Sequence, residues 1–138
     1  MRRTLIILTI CCSTWASSAG SADYVAMSGQ DLFRRFCASC HGPQGRGDGP
    51  VAASFRVEVP DLTQTAGRVH GTDVRERIVR IIDGRYILGA HGTRVMPVWG
   101  EDLGRLELGN PDAERSTEVI IARLADYVLG LQQQGAPK

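Results

Sequence analysis

Lysine is almost missing from this chain of 138 residues: Lys138 is the only one, and every other fixed positive side chain is an arginine. No lysine-rich face can therefore form. Aromatic residues make up 6% of the sequence. With the formal net charge at only +1, that scarcity leaves little to stack bases or to track a phosphate backbone, which argues against nucleic-acid binding. No segment alternates apolar and polar residues as a half-buried strand would. There is no internal repeat and no low-complexity tract. No apolar run approaches the roughly 20 residues a membrane-spanning helix needs; the longest, Leu5 to Cys12, is far shorter. Beyond Cys11 and Cys12 the chain has one further cysteine pair, too few for a disulfide-stapled secreted scaffold.

The remaining features are local. Arg2 and Arg3, the run LIILTICC, and small residues from Ala16 to Ala22 have the order of a secretory leader. The expectation is a signal peptide over residues 1–22, cleaved after Ala19 or Ala22, and one domain over 23–138, with no stable membrane insertion afterwards. Cleavage would remove Cys11, Cys12, Arg2 and Arg3, leaving 14 basic against 15 acidic residues, a net −1. That near-balance conceals a gradient. Arg34 to Arg94 holds ten arginines against six acids, while Glu101 to Asp126 holds three against seven. Such a split suits the orientation of a protein partner.

Three helices are legible. Ser28, with Asp31 three residues on, predicts a capped start for a helix reaching Cys37 or Ala38, with Gly29, Phe33 and Cys37 on one face. Asp73, with Glu76 behind it, opens a second helix whose apolar stripe is Val74, Ile78, Ile81 and Ile82, stopped by Gly84. Asn110 with Pro111, or else Ser116, opens the longest, striped by Ile120, Leu124, Tyr127, Val128 and Leu131. Two stretches read as loops: GPQGRGDGP, Gly42 to Pro50, and GAHGTRVMPVWG, Gly89 to Gly100. The first invites a phosphate-loop reading, but it follows no strand and lacks the GK[ST] ending. It reads instead as a flexible wrap that lies close to a cofactor edge. A small all-α domain so rich in loop buries little apolar surface, so its core calls for something extra.

CASCH, Cys37 to His41, offers three chemistries. A redox dithiol gains reactivity from a helix N-terminus, and this motif sits at the end of a helix with no strand before it. A zinc site needs two more ligands, to be drawn from His41, His70 and His91 without a second cysteine pair. The third is covalent haem attachment, for which C-x-x-C-H is the signature. Two thiols a helical turn apart can each add to a vinyl group, and the following imidazole then reaches the iron. Haem c is the expected cofactor, one per chain, with His41 as an axial ligand. A secreted chain agrees with it, and a large apolar disc would supply the missing core. For the opposite face of the iron the candidates are Met27, His70, His91 and Met96. Met96 is favoured, because 55 residues of chain separate it from His41 and Pro97 holds it extended in a loop.

With these residues the chain resembles the class I c-type cytochromes, small monohaem proteins. The likeness rests on Gly29, Phe33, Cys37, Cys40 and His41, on Gly45 to Pro50, on Met96-Pro97-Val98-Trp99, and on Tyr127, Val128 and Leu131 in the last helix. It spans most of residues 23–138. It implies an all-α fold of three to five helices around one haem, with the first and last helices crossing and Gly29 letting Tyr127 approach. It further implies that the Pro50 carbonyl accepts the His41 ring N–H, that Leu62 and Trp99 lie at the haem, and that Met96 is the second axial ligand. The implied role is one-electron transfer in the periplasm, not enzymatic catalysis, by a monomer whose redox partners dock at the haem edge. A haem subunit of a larger dehydrogenase or oxidase complex is the alternative. Two features depart from the pattern: the long connection Glu101 to Pro111, and arginines where lysines usually face the partner, with Arg46, Arg85 and Arg94 the expected docking set.

Overall fold

The computed structural model describes residues 23–66, 73–85 and 96–134. Residues 1–22, expected as the leader, lie outside the described residues, as do His70, His91 and Arg94. Among the described residues five α-helices run in the order α1 (Gly29–Phe36), α2 (Ala38–His41), α3 (Val74–Asp83), α4 (Trp99–Leu106) and α5 (Ala113–Gln134). Short 3-10 turns at Ala52–Ser54 and Leu62–Gln64 complete the set, and there is no strand among the described residues. The all-helical class and the helix count are as expected.

The caps explain the boundaries. Ser28 Oγ accepts the Asp31 N–H at 3.1 Å and donates to the Asp31 carboxylate at 2.6 Å, so the box closes through the two side chains. Asp73 accepts the N–H groups of Arg75 and Glu76, and Gly84 ends α3 at φ 73°, a left-handed conformation only glycine adopts cheaply. Asn110 accepts from Asp112 N–H at 2.9 Å and so turns the chain just before α5 begins at Ala113. Two helices were not foreseen, the single turn α2 and the longer α4. Residues 99–106, read from sequence as the end of a loop and the start of a long connection, form α4. Gly100 and Gly104 dilute its pattern, yet Trp99, Leu103 and Leu106 keep the i, i+4, i+7 spacing.

α5 is the spine, packing against α1, α3, α4 and the second 3-10 turn. Leu32 and Phe33 of α1, Ile78 and Ile82 of α3, Leu103 of α4, and Ile120, Leu124, Val128 and Leu131 of α5 form one buried cluster. α1 crosses α5 at Gly29. A Cβ there would stand 2.5 Å from the Arg123 carbonyl oxygen and 3.0 Å from Tyr127 Cβ. Two side chains of α5 tie down distant backbone. Arg123 donates to the carbonyls of Val25 and Met27, the latter at 2.8 Å. Gln132 donates to the Leu62 carbonyl and accepts from Ala66 N–H at 2.9 Å.

Gly29→Ala sets two effects of opposite sign against each other. Alanine favours a helix over glycine by at most ~1 kcal/mol, whereas overpacking costs ~1–3 kcal/mol. The obstacle is a carbonyl on the neighbouring helix, not a side chain that can swing away, so the cost prevails. The expected outcome is a net loss of ~1–2 kcal/mol in chemical denaturation, and a stability equal to or above the parent would show that the crossing has room for a methyl group.

Candidate functional site

α1 stops where the motif begins. Cys37 is the last residue bonded to α1, donating its N–H to Phe33 O at 2.9 Å, and its own carbonyl then accepts from both Cys40 N and His41 N. The segment Ala38–His41 is thus a single turn pivoting on Cys37, which carries both thiols and the imidazole on one small piece of backbone. Neither Cys37 nor Cys40 is in a disulfide. Cys37 is buried, and its thiol is pushed up to about 12, chiefly by desolvation and then by the neighbouring Cys40. A redox dithiol needs the opposite shift. No group of three or more His, Cys, Asp and Glu among the described residues could hold a metal ion; His70 and His91, the further ligands a zinc site would draw on, lie outside the described residues.

The loop behind the motif is built to support it. Gly47 N–H donates to His41 O at 2.8 Å, Gly49 N–H to Cys40 O at 3.2 Å, and Val51 N–H to Ser39 O at 3.1 Å. These bonds tie the loop Gly42 to Pro50 to the backbone of the turn. Gly42, Gly45 and Gly47 have φ between 73° and 80°. The close approach they permit is to the protein itself: a Cβ on Gly45 would meet Leu131 Cδ1 at 2.7 Å. From there Gly45 O accepts Leu62 N–H at 2.7 Å, which brings the 3-10 turn to the site.

His41 is half-buried, and burial lowers its pKa below the ordinary imidazole value, against a smaller raising effect from its hydrogen bond. Its Nδ1 lies 3.4 Å from the Pro60 carbonyl. A carbonyl only accepts, so Nδ1 carries the proton and Nε2 of the neutral ring keeps a lone pair. The expected partner was Pro50. The structure puts Pro60 in that place, because the bonds of Gly47, Gly49 and Val51 hold exposed Pro50 along the backbone side of the turn. The ring faces the strand of chain leading to Leu62. Pro60, two residues before Leu62, was the missed residue. A proline carbonyl at a fixed φ is a reasonable acceptor, but nothing local in the sequence marks it.

Leu62, Met96 and Trp99 are all half-buried and pack against the same core cluster that contains Cys37. Trp99 lies 5.4 Å from the Phe36 ring, centroid to centroid. The donor set suits haem c: two unbridged thiols and a neutral imidazole on one turn, next to apolar side chains that keep surface to cover. The expected docking arginines fare differently. Arg46 is exposed, Arg94 lies outside the described residues, and Arg85 is turned inward. Its guanidinium donates to Asp83 at 2.8 Å and to Glu114 at 2.9 Å, so it is part of the scaffold instead of a docking face.

A family model described as cytochrome C oxidase, cbb3-type, subunit III matches residues 25–110. That span takes in the motif turn, the loop behind it, Leu62, Met96 and Trp99. No curated protein and no solved structure gives a significant match.

Proposed function

Because the chain belongs to this family of c-type cytochrome domains, we propose that it is a one-electron carrier, with haem c attached through Cys37 and Cys40 and bound axially by His41 and Met96. The observation that carries the reading is the Pro60 contact. With Nδ1 donating to that carbonyl, Nε2 would be left as the metal donor, the arrangement metal-bound histidines take with an outer partner. Haem held this way supplies a one-electron ferrous–ferric couple. The protein's residues do the rest. Cys37, in the core, anchors one edge. Leu62 and Trp99 keep water away, which helps set the potential. With both His41 and Met96 given to the iron, the bound group would serve electron transfer and not substrate binding.

Covalent attachment is tested by denaturing the purified protein and extracting it with acidified organic solvent. The haem is expected to stay on the polypeptide, at one per chain. Passage of the haem into the solvent would overturn attachment through the two thiols.

The cellular setting is a further part of the proposal: residues 1–22 direct export, and residues 23–138 work as a monomer in the periplasm, meeting redox partners at the haem edge. No helix among the described residues is long and apolar enough to cross a membrane. A second reading, the haem subunit of an oxidase complex, is favoured by the family's own description and by Leu106, the last residue of α4, and Leu108, on the turn after it, which are 50% and 79% exposed. The size of the native assembly separates the two: the carrier runs as a single chain, and the subunit co-purifies with larger partners.

A further inference from the structure

Three helix ends meet at one buried charge. Asp83, the last residue of α3, is only 9% exposed. Two residues on, past the left-handed Gly84, Arg85 folds back over it. Arg85 N–H and Nε both donate to Asp83 Oδ1, at 3.1 and 2.8 Å, and Nη2 donates to Oδ2 at 2.8 Å. The remaining face of the guanidinium reaches α5, where Nη1 donates to Glu114 Oε1 and Oε2 at 2.9 and 3.1 Å. Hydrogen bonding to Arg85 holds the Asp83 carboxyl below its ordinary range, against the opposing effect of burial.

The third helix end is the start of α4. A Cβ on Gly100 would collide with Arg85 Nε and Asp83 Oδ1, and would stand 2.9 Å from Arg85 Cδ. The ion pair therefore lies directly on the first turn of α4, and only a glycine lets it. That turn has no side-chain cap of its own: Val98, the cap residue, offers none. The adjacent Asp83 carboxylate is of the sign that a helix N-terminus favours. From Gly100 back to Met96 there are only Trp99, Val98 and Pro97. Pro97 has a fixed φ and restricts Met96 to extended backbone. So short and stiff a lead carries any displacement of the α4 turn to Met96.

We infer that Asp83 and Arg85 are positioning residues for Met96, holding its thioether in place through the first turn of α4. The inference rests on the reading of Met96 as an axial ligand. A buried ion pair is weak evidence for stability, since replacing it with apolar residues is often neutral. Its best-supported use is to fix one arrangement among several. Here the arrangement fixed is the junction of α3, α4 and α5 beside the Met96 segment.

The test uses the holoprotein carrying Arg85→Met, which keeps the length of the side chain and removes the fork. Two readouts report on the axial thioether: the weak near-infrared sulfur-to-ferric-iron band, and the apparent affinity of the reduced form for CO. A ligand that must wait for the methionine to leave binds in proportion to the fraction already detached. A roughly tenfold rise in CO affinity, equivalent to 1.4 kcal/mol of the Met-bound state, is expected with loss of part of the band. A variant that is less stable but keeps the parental band and CO affinity would show that the pair only pins helices, and the inference would fall. A parent that lacks the band would overturn the Met96 reading itself, and the inference with it. If the Arg85→Met protein does not accumulate, Glu114→Gln at an exposed carboxylate weakens only the outer contact, removing its charge and one acceptor. It should move both readouts in the same direction by less, and unchanged readouts would again overturn the inference.

Discussion

Met96→Ala is expected to raise the CO affinity of the reduced protein steeply, and to lower the reduction potential. Thioether sulfur stabilises ferrous over ferric iron, so its loss favours the oxidised form. Axial ligand identity spans roughly 0.8 V across haem proteins. Exchange of methionine for water should use a sizeable fraction of that, on the order of 0.1–0.2 V downward. The fold should survive. Met96 is half-buried at the margin of the core, so the truncation costs nearer the lower end of the ~2–5 kcal/mol for a methionine fully inside. The hydrogen bonds given for the motif turn, its supporting loop and the Pro60 contact involve none of its atoms. Potentiometry and CO difference spectra of the reduced protein decide the matter. A variant with the parent's potential and CO affinity would pass the ligand role to another residue. His70, His91 and Met27 are the choices. Met27 is disfavoured by its position before α1, where its carbonyl is engaged by Arg123.

The features that could be read from the sequence are those carried by short spacing. CASCH is one helical turn, so its geometry follows from its order. Ser28, Asp73 and Gly84 announce helix ends because caps act over three or four residues. α4 was hidden for a related reason. Two glycines in eight residues lower helix propensity by about 1 kcal/mol each, and its stability comes from tertiary contact, with Leu103 fully buried and Gly100 under the Arg85 fork. No local rule registers that. Pro60 sits 19 residues from His41, and Gln132 holds a carbonyl 70 residues away. A side chain that bonds a distant backbone group leaves no periodic trace. Arg85 was misassigned for a physical reason too. Counting charge along a chain cannot tell a solvated arginine from one folded onto an aspartate two residues back.

Phe33→Ala is expected to be the most damaging core substitution, because the crossing of α1 and α5 depends on that ring. Phe33 is fully buried and meets Tyr127 of α5 at 5.1 Å between ring centroids, tilted by 46°. A Cβ at Gly45 would lie 3.8 Å from Phe33 Cζ, so the ring also reaches the loop that supports His41. The neighbours of the lost ring are held by the close helix contact at Gly29 and by the loop's own hydrogen bonds, so the site cannot easily collapse. Deep phenylalanine truncations cost ~3–5 kcal/mol, with the upper half of that range expected where the cavity persists. A domain of this size has ~5–15 kcal/mol in total, so the variant should be marginal at growth temperature. Chemical denaturation of the holoprotein, followed by far-ultraviolet circular dichroism, gives the number. Leu108→Ala is the matched control: at 79% exposure its removal should fall within ~0.5 kcal/mol of the parent. A loss below ~1 kcal/mol for Phe33→Ala would mean that the crossing holds without the ring. The contact between α1 and α5 would then be maintained chiefly by Arg123 on the carbonyls of Val25 and Met27, and removing that side chain should be the costlier change.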